Sequence, residues 1–226
     1  KGLPGLLTRD VQLKTTGFNF AAPAGYDPTA LVVKPHPVED VDFRKEGAYA
    51  GYNWELFFHL PFSIAVNLSK NQRFEEAMRW FHFVFDPTGS QGGSAPQKYW
   101  ITAPFYRRLA PDYAAQRIDS ILYDVAQDPT GLSLGTIADA IEDWRDRPFK
   151  PHVVARSRSV AYQKAVLIKY IQNLIDWGDY CFRQETMESV NRADQLYVLA
   201  EKLLGPKPRF VPPVVEPRPA SFNELE

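Results

Sequence analysis

Between Tyr52 and Pro87 the chain reads YNWELFFHLPFSIAVNLSKNQRFEEAMRWFHFVFDP, which crowds aromatic residues into two segments of helical spacing and sets no catalytic pattern among them. In the first segment Trp54, Phe57, Phe58, Pro61, Phe62, Ala65 and Leu68 recur at i, i+3, i+4, so they share one helical face, and Ser69 to Asn71 form a polar turn. A second helix is predicted from about Arg73 to Phe85. Its main stripe is Phe74, Ala77, Met78, Phe81, Val84 and Phe85, while Trp80 and Phe83 fall outside it, so this helix needs neighbours on two sides. Pro61 has no amide proton and disfavours a helical Leu60, which predicts a kink or a fresh helix start there.

Beyond Pro111 the helical pattern continues. A third helix is expected after Pro111, with Ala114, Ile118, Ile121, Leu122 and Val125 on one face. A fourth, capped near Ser133, aligns Leu134, Ile137, Ala138, Ile141 and Trp144. The longest should run from about Ser159 to Phe182, with Leu167, Ile171, Leu174, Ile175, Gly178 and Phe182 on one face and Val166, Tyr170 and Trp177 on another. A sixth, Glu185 to Leu204, uses Val190, Ala193, Tyr197, Ala200 and Leu204 and ends at Gly205 and Pro206. The short Arg183-Gln184 link makes the last two an antiparallel hairpin.

Three stretches are expected: an extended connector over residues 1–50, with short strands at Val11 to Leu13 and Leu31 to Val33; a helical segment over 51–205; and a Pro-rich strap over 206–226. The fold class is therefore mainly α, built of antiparallel helical hairpins. With 226 residues, 45% of them hydrophobic, the chain can bury a sizeable core. A net charge of −1 gives no electrostatic case for nucleic acid and little for an anionic membrane surface. Cys181, in a helical pattern beside Phe182, reads as a small buried hydrophobe. No initiator Met, signal peptide or apolar run long enough to span a membrane is present, and the chain is expected to be a segment of a longer polypeptide.

The candidate chemistry is thin. Glu55 and His59, with His82 and Asp86 at the same i, i+4 spacing, are suitable ligand types for zinc and would support a metal hydrolase. No zincin-type Glu accompanies them, and histidines amid aromatic residues serve more simply as packing with a polar edge. Gly-x-Ser-x-Gly is absent, and the glycine-rich loop Asp86 to Gln97 lacks the Gly-Lys-Ser/Thr of a phosphate cradle. The pairs Glu75/Glu76 and Glu142/Asp143 read as solvent-facing. No catalytic, cofactor or metal residue is expected. The candidate packing or interface residues are Trp54, Phe57, Phe58, Trp80, Phe83, Tyr170 and Trp177. A helical scaffold for protein partners is the alternative reading; it would gain from a repeat near 34 residues, and none is found.

The Tyr52–Pro87 segment, continued upstream as VVKPHPVEDVDFRKEGAYAGYNWELFFHLP and downstream in RDRPFKPHVVARSRSVAYQKAVLIKYIQNLIDWGDYCFRQETMESVNRADQLYVLAEKLLGPKP, closely resembles the large A component of bacterial Tc (toxin complex) insecticidal toxins. The resemblance covers most of the chain and is weaker over residues 1–31 and near Ser90. It implies a piece of the α-helical shell just before the linker to the translocation channel, next to a β-rich domain. It also implies a non-catalytic, cofactor-free role in a secreted or cell-surface, pore-forming homopentamer. The implied partners are neighbouring A subunits, other domains of the parent chain, the B and C components through the whole assembly, and the host membrane through the parent channel.

Overall fold

The computed structural model describes residues 2–14, 41–43, 47–107, 145–146, 149 and 159–207. The helices expected over Ala114–Val125 and Leu134–Trp144, the strand at Leu31–Val33 and the strap beyond Lys207 lie outside these. Within them the architecture is mainly α, as the spacing predicts, and the one β feature is an isolated antiparallel bridge between Phe85 and Trp100.

The amino-terminal expectation is corrected. Val11 is not in a strand: α1 (Gly2–Leu6) is followed by a single helical turn, α2 (Arg9–Gln12). Thr8 has extended backbone, and its Oγ1 accepts the Val11 amide at 3.4 Å, an N-cap that starts the turn. A β-branched residue without a strand partner does not make a strand.

The first aromatic helix is continuous through Pro61, but not uniform. Following α3 (Ala50–Trp54), residues Glu55–His59 form a π turn in which the Leu60 amide reaches back five residues to the Glu55 carbonyl, and α4 (Leu60–Lys70) continues from it. Pro61 cannot donate to the Phe57 carbonyl four residues earlier. The fully buried Thr102 supplies the missing donor, its Oγ1 giving a hydrogen bond to Phe57 O at 3.2 Å.

Helix α5 (Phe74–Phe81) ends four residues earlier than its apolar pattern suggests. Val84 and Phe85 are nevertheless buried, because the chain turns after Phe81 and pairs with the returning loop. The Ile101 amide donates to Val84 O at 3.0 Å and the Asp86 amide to Tyr99 O at 2.7 Å. A short α6 (Ala103–Tyr106) follows and carries the buried Phe105 inward.

Helices α7 (Ser159–Phe182) and α8 (Met187–Leu204) form the predicted hairpin. The joint is closed by Thr186 and Ser189, whose hydroxyls each accept the other's amide at 3.1 Å, so α8 begins two residues after the expected Glu185. Gly205 (φ +75°) ends it. The buried stripe of α7 is centred on Gln163, Val166, Tyr170, Leu174, Gly178 and Cys181; Leu167 and Ile175 are half-buried and Phe182 is exposed. Helix α7 packs against α4, α5 and α6 as well as α8. No helix among the described residues is long and apolar enough to cross a membrane.

Close approach of α7 and α8 rests on small residues: Ala193 and Ala200 on one side and Gly178 on the other. A Cβ at Gly178 would lie 2.6 Å from Tyr197 Cε1, and that ring is held by its hydroxyl donating to Asp179 Oδ1 at 2.7 Å.

Two outcomes are expected in chemical denaturation. Thr102→Val leaves the Phe57 carbonyl buried without a donor and should cost about 1–3 kcal/mol. Gly178→Ala should cost ~1–3 kcal/mol through overpacking. In a Tyr197→Ala background the same glycine replacement should become stabilising by about 1 kcal/mol, since alanine is the better helix former. A penalty that survives removal of the tyrosine ring would show that the contact is not its cause.

Candidate functional site

The described residues gather a large aromatic centre. Trp54 meets Phe58 edge-on at 5.9 Å and Phe105 at 5.9 Å, and Phe58 meets Phe105 at 5.1 Å. Phe43 closes the far side, edge-on to Trp54 at 5.5 Å, and its carbonyl accepts the Trp54 indole N–H at 3.3 Å. Phe57, Trp54 and Phe58 are all buried. Further along α7, Tyr170 is edge-on to Phe81 (5.6 Å) and Phe85 (5.5 Å). Of the seven candidate packing residues, Trp54, Phe57, Phe58 and Tyr170 therefore belong to the interior.

Trp80, Phe83 and Trp177 do not. All three are half-buried. Trp80, at the end of α5, and Phe83, just beyond it, pack edge to face at 5.5 Å. Trp177 stacks on Phe74 at 6.5 Å, and the Arg192 guanidinium lies 4.6 Å from its ring centre.

The histidines are not brought together. His59 packs among Trp54, Phe58 and Tyr162, whereas His82 lies beside Tyr170, its Nε2 3.1 Å from the phenol oxygen. Tyr162 and Tyr170 are eight residues apart on α7, or about 12 Å along the helix axis. Asp86, the other ligand type in that set, is committed elsewhere. Its Oδ1 accepts Thr88 N (2.9 Å) and Thr88 Oγ1 (2.6 Å), and its Oδ2 accepts Ser90 N (3.1 Å) and Ser90 Oγ (2.6 Å). Burial raises the Asp86 pKa, but these four hydrogen bonds together outweigh it and leave the carboxyl below its ordinary value. Among the described residues no group of three or more His, Cys, Asp or Glu converges as metal ligands do. Glu75 and Glu76 face solvent, paired with Arg79 and Arg73.

Desolvation pushes the Tyr170 hydroxyl up to about 12, so it stays a neutral donor. His82 is exposed as a whole, but its Nε2 edge is turned in toward Tyr170 and desolvated, which lowers its pKa, with Asp86 acting the other way. Tyr197 is also raised to about 12, chiefly by its bond to Asp179.

A polar site that sequence reasoning missed lies at the amino-terminal segment. Arg9 is buried, and its guanidinium donates to the carbonyls of Gln91 (3.1 Å), Gly92 (3.3 Å), Gln97 (3.2 Å) and Lys98 (3.5 Å). It reaches Trp100 O through both Nε (3.2 Å) and Nη2, and it lies 4.2 Å from the Tyr106 ring centre. One turn on, Gln12 Nε2 donates to Ile101 O at 3.3 Å while Oε1 accepts the Ala103 amide at 2.8 Å. Thr8 ahead of a helical turn was a readable N-cap signal; the acceptors, main-chain groups some 80–90 residues away, left no mark in the sequence.

Among proteins similar to the chain, toxin subunit YenA2 of Yersinia entomophaga is 29% identical over 167 residues, which is 72% of this chain and 10% of the relative. The cryo-EM structure of TcdA4 from Morganella morganii superposes with a TM-score of 0.50 at 27% identity, over 79% of this chain and 6% of that one. No protein-family model matches. The chain is thus TcA-like, as its aromatic strings suggest, and spans a tenth or less of either relative.

The lowered His82 pKa gives a signed pH dependence. An unfolded histidine titrates near 6.5 and binds protons that the folded ring resists, so this contribution is complete above about pH 6.5 and shrinks as pH falls below it. The Asp86 contribution works in a lower window, present above about pH 4 and lost below it. Thermal melts from about pH 7.5 to 5 should therefore show a steeper fall for the wild-type chain than for His82→Gln; equal slopes would exclude His82 as the source.

Proposed function

We propose that the chain is a non-catalytic structural segment of the α-helical shell of a pore-forming, toxin-translocating Tc A component. The observation that carries this reading is the similarity to toxin subunits over 72% of the chain by sequence and 79% by structure. The physical character of the described residues supports it. Most of their large aromatic side chains are gathered into one core, and Trp80 and Trp177 are only half-buried against it.

On this reading residues 1–50 connect to a neighbouring domain, 51–205 form the shell segment, and the Pro-rich 206–226 opens the linker to the translocation channel. The partners are other domains of the parent chain and adjacent A subunits of a homopentamer. The B and C components and the host membrane are reached only through the assembled toxin, which is secreted or held at the cell surface. No cofactor or metal takes part.

Trp80 and Trp177 are the side chains best placed to meet a neighbouring shell element, since each offers ring surface beyond what its own core covers. Completing the burial of such a ring is worth on the order of 1.5–3 kcal/mol. In the full-length subunit, Trp80→Ala and Trp177→Ala should lower the temperature at which the oligomer dissociates by more than they lower the melting temperature of the 226-residue chain alone. Equal losses in the two settings would mean that both rings serve only the local fold.

A further inference from the structure

We propose that the loop spanning residues 91–103 is a receptor for a guanidinium-bearing helical turn, and that the segment 2–14 is a latch seated in it that leaves and re-engages as a unit. The socket is made of main-chain groups. Its five carbonyls approach the Arg9 guanidinium from several directions, matching donors that are spread over a planar fork, and the Tyr106 ring covers one face. A lysine ammonium, with three donors on one nitrogen, cannot span such a ring of acceptors. Gln12 adds a second point of recognition at fixed helical spacing, satisfying both Ile101 O and the Ala103 amide.

The seat holds the latch by polar recognition and little else. Of residues 2–14 only Leu7, Arg9 and Gln12 are buried, and α1 buries none. Among the described residues no carboxylate forms an ion pair with Arg9; Asp10 and Asp86 act on it from a distance. A buried charge held by carbonyls and one aromatic face, with no ion pair, competes closely with its own hydration, and a segment with so little buried apolar surface opens locally at low cost. The Val41 amide donates to Gln12 O at 3.3 Å, so the latch also fixes the strand of chain that brings Phe43 onto Trp54.

Native-state hydrogen exchange of the whole chain tests this at single amides. The Ala103 amide is bonded to the latch, through Gln12 Oε1, whereas the nearby Ile101 amide is bonded to Val84 O. Ala103 and Leu13, the latter bonded to Arg9 O, should exchange together and at least ~10-fold faster than Ile101 and the central amides of α7. Arg9→Ala should release Ala103 and the 91–100 loop further while leaving α7 unchanged. Millimolar methylguanidinium should then restore protection to that loop in the variant, and ethylammonium at equal ionic strength should not. Exchange of Ala103 only with global opening in the wild-type chain would overturn the latch, and that result does not depend on the variant folding. Equal rescue by ethylammonium would overturn the guanidinium receptor.

Discussion

The need to cover α7 on two sides organises the described body. Val166, Tyr170 and Leu174 are essentially inaccessible to solvent, with α4, α5 and α6 on one side of the helix and α8 on another. Burying Tyr170 imposes a further condition, because a phenol removed from water must find a partner for its hydroxyl. His82 is that partner, and Phe81 and Phe85 supply the ring contacts. These residues can surround one ring only because α5 stops at Phe81 and the chain turns. The early end of α5, the bridge to Trp100 and the placing of α6 then follow from one demand.

How far this was legible depends on the kind of partner involved. The bounds of α7 and the hairpin were readable because periodicity reports burial directly, whereas aromatic density marked Trp54, Phe58, Tyr170, Trp80 and Trp177 alike as packing or interface residues without separating the interior ones from the half-buried. The length of α5 was not. Val84 and Phe85 continue the helical spacing of Phe74, Ala77 and Phe81, and a buried turn demands the same apolar residues as a buried helix. The π turn was equally hidden, since nothing in Glu55–His59 distinguishes one from an ordinary helical turn, although Pro61 flagged the neighbourhood. Tyr197 was counted among the apolar residues of α8, whereas its ring sits over Gly178 at the joint between the helices.

Three buried polar residues share a logic that composition conceals. Arg9, Gln12 and Thr102 all spend their side chains on main-chain groups of segments distant in sequence. Each satisfies a group that the local backbone leaves without a partner, at a proline, at a helix start or in a loop of poor regularity. The exposed pairs Arg73–Glu76 and Arg79–Glu75 look more prominent in a charge pattern, yet screened surface ion pairs contribute little. Buried polar groups aimed at backbone matter more to whether this arrangement is unique, because losing one strands its partner away from water.

The π turn sets the angular phase between the two halves of the first aromatic helix. Each residue of an α-helix advances the face by roughly 100°, so the additional residue taken up in Glu55–His59 fixes how Ala50–Trp54 is rotated relative to Leu60–Lys70. Trp54 points at Phe105 and Phe43 because of that offset. Deletion of one residue from this turn would rotate Trp54 away from the core while leaving α4 seated. The helix is in this sense a two-part key whose halves are cut to different angles.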